Sequence, residues 1–201
     1  MPKKWSIVMV EFSPSFPDPW EGKAHLMILG EAPGAKEEQE GQPFVGASGK
    51  LLMNVLEECG FSRKNLYISN VFWQRPPDND VGYFFCSTRS NDAKSIKYQK
   101  FKNGHLKKEW EHQLDRLQDE LNLVQPDVAL MLGAIPLWAL TGEDQVTVCR
   151  GKYYRPSKHI KYDKGVAVST FHPAYVLRNR KMIDTMKDDI FLAKELLDLP
   201  F

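Results

Sequence analysis

The 201-residue sequence predicts an α/β fold, a three-layer α/β/α sandwich around a mostly parallel, four-stranded sheet. Two observations carry that expectation. Four short apolar runs of strand character alternate with stretches whose apolar residues recur at helical spacing. Polar and glycine-rich segments follow those runs, where open parallel sheets place their ligand-binding loops.

The first run, His25 to Leu29, ends at Gly30. Gly49 to Glu58 sets Leu51, Leu52, Val55 and Leu56 on one helical face, and Gly60 stops it. Leu66 to Phe72 is a second strand. Trp110, Leu114, Leu117 and Leu121 mark an amphipathic helix, and Asp127 to Leu132 is a third strand. Gly133 to Leu140 reads as a short helix. Strand-like residues around Arg150-Gly151, between Val146 and Lys161, have the pattern of a hairpin. Val166 to Phe171 is the fourth core strand, and Met182 to Leu197 is a C-terminal helix. Residues 78–108 have no periodicity and are too long for an ordinary connection, so they read as an insertion in a single domain spanning 1–201.

Composition sets limits. Hydrophobic residues make up 42% and charged residues 26%, as in a soluble globular protein. No apolar run approaches the roughly 20 residues that cross a bilayer. At the N-terminus Glu11 interrupts the run Ile7 to Val10, and no secretory cleavage pattern follows. The reading is an intracellular monomer with no membrane partner. Cys59, Cys86 and Cys149 are scattered and form no CxxC pair, which points away from a disulfide framework and a zinc module. The net charge of +1 excludes little. From Lys94 to Lys108, however, six lysines and one histidine occur without an acid, which suits either a phosphate backbone or a solvated surface.

Four strand ends deliver the candidate chemistry. They are Gly30 to Glu38, Gly41 to Gly49 running into a helix, Ser69-Asn70 within an apolar strand, and Ser169 to Asn179. Singly, each has a plain structural reading: a tight turn, a core phenylalanine, a satisfied amide, a turn-capping histidine. Together they bring a carboxylate, an aromatic ring, an amide and an imidazole to one end of a sheet, which is what recognising and removing a nucleobase requires. The first loop has neither the P-loop GK[ST] nor the GxGxxG spacing of a nucleotide-binding fold.

These segments resemble the uracil-DNA glycosylase superfamily, and most of all its family 4 enzymes. The matching text is GEAPGAKEEQEGQPFVGASGKLL (30–52), LYISNVFWQRPP (66–77), QPDVALMLG (125–133) and STFHPAYVLRN (169–179). The resemblance implies a uracil-DNA glycosylase-like sandwich acting on DNA in the cytoplasm of a bacterial or phage-infected cell, associated with the nucleoid. Alternatives are a glycosylase for another modified pyrimidine and a catalytically silent DNA-binding member.

The resemblance also implies roles. Phe44 stacks on the extruded base, with Ala32 beside it where some members carry an aspartate. Asn70 reads the Watson–Crick edge, because a carboxamide offers a donor and an acceptor. His172 stabilises charge on the departing base. Glu31 or Glu37 positions water or stabilises the sugar cation, with Glu31 favoured at the strand tip. Val176 and Leu177 supply an apolar wedge, and Arg178 holds phosphate. Pro33, Gly34, Ser48, Gly49 and Pro173 complete the DNA-facing loops. In the insertion, Lys94, Lys97, Lys100 and Lys102 interleave with Tyr83, Phe84, Phe85, Tyr98 and Phe101 either to reach DNA or to pack the segment.

The family 4 pattern is broken at the metal. Such enzymes hold an iron–sulfur cluster on four cysteines, two of them near the N-terminus. This N-terminal segment has none, Gln74 stands at the third position, and the fourth falls near Gln113. The expectation is no cluster, no metal and no cofactor.

Overall fold

The computed structural model describes residues 14–15, 21–156 and 159–199. The N-terminal run Ile7 to Val10 lies outside the described residues. Strands β1 (Leu26–Gly30), β2 (Tyr67–Asn70), β5 (Val128–Leu132) and β7 (Val166–Thr170) form the parallel sheet. Between β2 and β5 lie the hairpin strands β3 (Phe85–Ser87) and β4 (Gly104–Leu106). A two-residue strand, β6 (Tyr153–Tyr154), adds antiparallel to β7, giving the order β2-β1-β5-β7-β6. The four expected strands are therefore joined by a fifth. The expected hairpin around Arg150-Gly151 is instead a short helix, α5 (Val146–Cys149), followed by β6. The two flanks of that turn do not pair with each other: Val146–Cys149 is helical, and Tyr153 and Tyr154 pair with Val168 and Ala167 of β7.

Alternation along the strands makes the layers. Leu26, Ile28, Val128, Leu130, Val166 and Val168 face one way, onto α2 (Ala47–Glu58) and α7 (Ile183–Leu197). Met27, Leu29, Ala129, Met131 and Ala167 face the other way, onto α3 (Glu111–Val124) and α4 (Ala134–Thr141). Helix α2 buries Leu51, Leu52, Val55 and Leu56, and α3 buries Leu114, Leu117 and Leu121, the residues whose spacing marked both helices. Two shorter helices, α1 (Ala35–Glu40) and α6 (Pro173–Arg178), follow β1 and β7 directly.

Register then places the site. Gly30 pairs with Asn70, Leu29 with Met131, and Leu132 with Thr170. The carboxyl ends of four parallel strands are thus level, and the segments beginning at Glu31, Val71, Gly133 and Phe171 emerge at one rim.

The insertion packs. Phe84 stacks on Phe72 with ring centroids 3.9 Å apart, and Phe85 and Phe101 lie against Trp138 at 5.3 and 5.9 Å. Phe84, Tyr98 and Phe101 are buried, and Tyr83 remains exposed. Full burial of one such ring is worth about 2 kcal/mol, so three of them anchor the hairpin without help from DNA. Among the described residues no helix is long and apolar enough to cross a membrane.

Candidate active site

The level strand ends surround a cleft of about 980 Å³. Its lining includes Glu31, Ala32, Pro33, Gly34, Glu37, Ser48, Lys102, His172 and Arg178. Nine sequence-selected residues from four separate segments therefore meet in one place.

Phe44 and Asn70 do not line it but meet at Gly30, next to Glu31. Gly30 lies between them: a Cβ there would be 2.2 Å from Oδ1 of Asn70 and 2.6 Å from Cζ of Phe44. Only glycine lets the ring and the amide close on the same Cα. Asn70 is 3% exposed, and among the described residues no hydrogen bond to its carboxamide is found. The amide nitrogen and oxygen are not themselves fully buried, so donor and acceptor stay open to a ligand.

Phe44 has a left-handed backbone, with φ 54°, an unusual conformation that its surroundings must maintain. Oε1 of Glu37 accepts the N–H groups of Val45 at 3.1 Å and Gly46 at 2.8 Å. Arg63 donates to the carbonyl of Pro43 at 2.6 Å and to that of Phe44 at 3.5 Å. A Cβ at Gly49 would be 2.2 Å from the carbonyl carbon of Phe44, so its absence admits the loop. Glu37 and Gly49 thus brace the aromatic loop, and burial of Gly49 leaves it no open face for phosphate. Arg63 was not singled out from sequence, because nothing local distinguishes it from a surface arginine.

His172 ends β7's loop and caps α6. Its Nδ1 accepts the N–H of Ala174 at 3.2 Å. An accepting Nδ1 carries no proton, so the neutral ring bears its proton on Nε2. Burial, then the nearby Arg178 guanidinium, pull its pKa down to about 4, which keeps the ring neutral at physiological pH. Gly133, with φ 94°, backs the ring; a Cβ there would be 2.9 Å from that of His172.

Glu31 moves the other way. Burial raises its carboxyl pKa to about 7, with Lys102 opposing the rise and Asp80 adding to it. One cleft therefore holds a neutral imidazole and a carboxyl that ionises near neutrality, the displaced pair that marks acid–base sites.

Other expected DNA contacts are placed differently. Val176 is 0% exposed and packs in the core shared with α2 and α7, so its side chain is not a wedge. Leu177 is half-buried against the same core. Pro173 is buried at the first position of α6, where its lack of an N–H suits a helix start. Tyr175, exposed and tilted on Phe171 at 5.1 Å, lines the cleft together with that ring. Of the four insertion lysines only Lys102 lines the cleft. Lys94 donates to the carbonyl of Ser90 at 2.6 Å, Lys97 pairs with Asp115, and Lys100 is exposed away from it.

The iron–sulfur cluster carried by the resembling enzymes does not fit these residues. Cys59, Cys86 and Cys149 are buried in different elements, and the chain has no cysteine before Cys59. Near where the fourth ligand would fall, the carboxamide of Gln113 accepts the Trp73 N–H at 3.1 Å.

A parallel α/β sandwich with an imidazole and a carboxyl in one cleft at its strand ends defines a class of α/β proteins built for acid–base chemistry. Comparison with known proteins places the chain within it. The chain belongs to the uracil DNA glycosylase superfamily, whose profile matches residues 19–194. A type-4 uracil-DNA glycosylase of Thermotoga maritima is 30% identical to it over 86% of this chain and 77% of that protein. Those of Sulfurisphaera tokodaii and Archaeoglobus fulgidus are each 31% identical, over 90% and 87% of this chain and 75% and 77% of their own lengths. Membership and these relatives support a glycosylase activity on DNA.

Proposed function

We propose that the protein is a monofunctional glycosylase that hydrolyses the N-glycosidic bond of a flipped-out uracil in DNA and leaves an abasic site. The observation that carries this reading is the neutral His172 with its proton on Nε2, in the same cleft as Glu31.

In this reading Phe44 stacks on the extruded base and the Asn70 carboxamide pairs with its O4 and N3–H. The Nε2–H of His172 donates to O2. As the bond from the base nitrogen to C1′ breaks, its electron pair stays on the base, and that hydrogen bond stabilises the developing anion. The sugar becomes cation-like. Ionised Glu31 stabilises that charge and orients a water, whose oxygen bonds C1′ while its proton passes to the carboxylate. Glu37 acts through the Phe44 loop instead of on the substrate. Arg178, Lys102 and Tyr175 contact the flanking strand. No step needs a metal or cofactor.

A second reading, removal of a larger modified pyrimidine, is favoured by the cleft volume of about 980 Å³, at the top of the roughly 300–1,000 Å³ range of small-ligand sites. Single-turnover cleavage of labelled oligonucleotides bearing one U, single-stranded or opposite G or A, tests both. Cleavage at U that is lost in His172→Ala supports the uracil reading. Tight binding without cleavage at U, but with cleavage of a modified pyrimidine, supports the second. Binding without cleavage of either leaves a silent DNA-binding protein.

A further inference from the structure

Helix α3 should be apolar where it faces the sheet, yet Gln113, Arg116 and Glu120 lie there on one face, three and four residues apart. Gln113 and Glu120 are buried, and the Arg116 side chain is 10% exposed. Burying such groups is unfavourable unless they are hydrogen-bonded, and of these three side chains only the Arg116 Nε is left without a partner among the described residues.

All three are used on one short segment, residues 67–73. Arg116 donates from Nη2 to the carbonyls of Asn70 and Val71, both at 2.8 Å. Its Nη1 pairs with Glu120, whose other oxygen accepts the Tyr67 hydroxyl at 2.5 Å. Gln113 accepts the Trp73 N–H, and the guanidinium lies over the Trp73 ring at 4.1 Å. Trp73 in turn donates from Nε1 to Ser69 Oγ at 3.2 Å. On its other side the same segment is bonded to the first strand end: Val71 N–H to the Gly30 carbonyl at 2.9 Å, and Phe72 N–H to that of Glu31 at 3.0 Å. Residues 70–73 are therefore clamped between α3 and the backbone that carries Glu31.

We propose that Arg116, with Glu120 and Gln113, is a positioning set that holds Asn70 at the depth and angle needed to read the base, without touching substrate. This rests on Asn70 being the base reader. A planar fork satisfies two successive carbonyls where the strand has ended and no ladder remains to hold them.

The test uses the whole protein. Arg116→Met, Gln113→Ala and Gln113→Glu are made in the native and Asn70→Ala backgrounds. For each, single-turnover cleavage at U, DNA affinity and thermal melting are measured. Arg116→Met and Gln113→Ala are expected to slow cleavage by about tenfold to a hundredfold, as small misplacements do, with DNA affinity little changed. Gln113→Glu, which keeps the accepting oxygen, is expected to restore the rate. In the Asn70→Ala background neither loss should add further. If Asn70→Ala itself cleaves at the native rate, the base-reading assignment fails, and this proposal with it. If Asn70→Ala is slow while Gln113→Ala cleaves normally, or if the losses multiply in full, the positioning role alone is overturned. Should Arg116→Met not fold, the two Gln113 variants decide the matter.

Discussion

Asn70 and Phe44 meet across Gly30, so closely that a Cβ on residue 30 would lie 2.2 Å from the amide oxygen and 2.6 Å from the ring. A methyl group there must displace one or both, while the strand's hydrogen bonds survive. Gly30→Ala is therefore expected to retain a cooperative melt and DNA binding but to lose single-turnover cleavage by about a hundredfold, as a displacement of an ångström can cause. Native-like cleavage would mean that the two side chains do not form the base slot.

The two carboxylates at the first loop are separated by one pair of substitutions. Glu37 accepts two backbone N–H groups, a role that a glutamine oxygen can fill. Glu37→Gln should stay within about threefold of the native rate, since it exchanges charge-assisted hydrogen bonds for neutral ones. Glu31→Gln removes the ionisable group and should cost about a hundredfold or more. The reverse ranking would make Glu37 the catalytic carboxylate.

The pH dependence of stability follows from Glu31. Its pKa is raised from 4.5 to about 7 in the native state, so the folded protein holds that proton more tightly than the unfolded chain. The resulting stability is fully present below pH 4.5 and is lost as pH rises through about 7. Glu31→Gln, which never ionises, should thus gain stability over native protein above pH 7, by up to about 3 kcal/mol, since each tenfold difference in proton affinity is worth about 1.4 kcal/mol. Urea titrations at pH 4.5 and pH 8 measure it. In the same range native cleavage should rise with pH to a plateau above about 7, as the carboxylate forms.

Lys102 differs from its neighbours. It lines the cleft, and its backbone N–H is held by Asp144 at 2.8 Å. Lys94 and Lys97 are engaged within the protein. Lys102→Ala is expected to lower the slope of log affinity against log salt by about 0.7 to 0.9, one phosphate contact. Lys94→Ala and Lys97→Ala should leave it unchanged. Equal effects at all three positions would restore the view of the segment as a continuous phosphate-binding surface.

Most elements were legible because their signals are local. Leu51, Leu52, Val55 and Leu56 announce a buried helix face within two turns, and the first and fourth strand runs end at the polar segments that line the cleft. Strand β6 escaped notice because two residues contain no period, and pairing with β7 is a property of β7's free edge. Val176 read as a wedge from its place after His172. Its burial depends on which way α6 turns that side chain, toward the core of α2 and α7.

The sequence by itself determined the alternation of strands and helices, the glycines at close approaches and the four ordered motifs, and with them the family. Apolar periodicity and backbone freedom act over a few residues, so they can be read along the chain. Only the tertiary structure decided where those residues meet. It brought Glu31 and Glu37 to one cleft and bonded Glu37 to the Phe44 loop, made Asn70 and Phe44 share one glycine, and gave the end of β2 to an arginine 46 residues away. Such pairings depend on strand register and helix packing, and on the tendency of buried donors and acceptors to find partners across the fold.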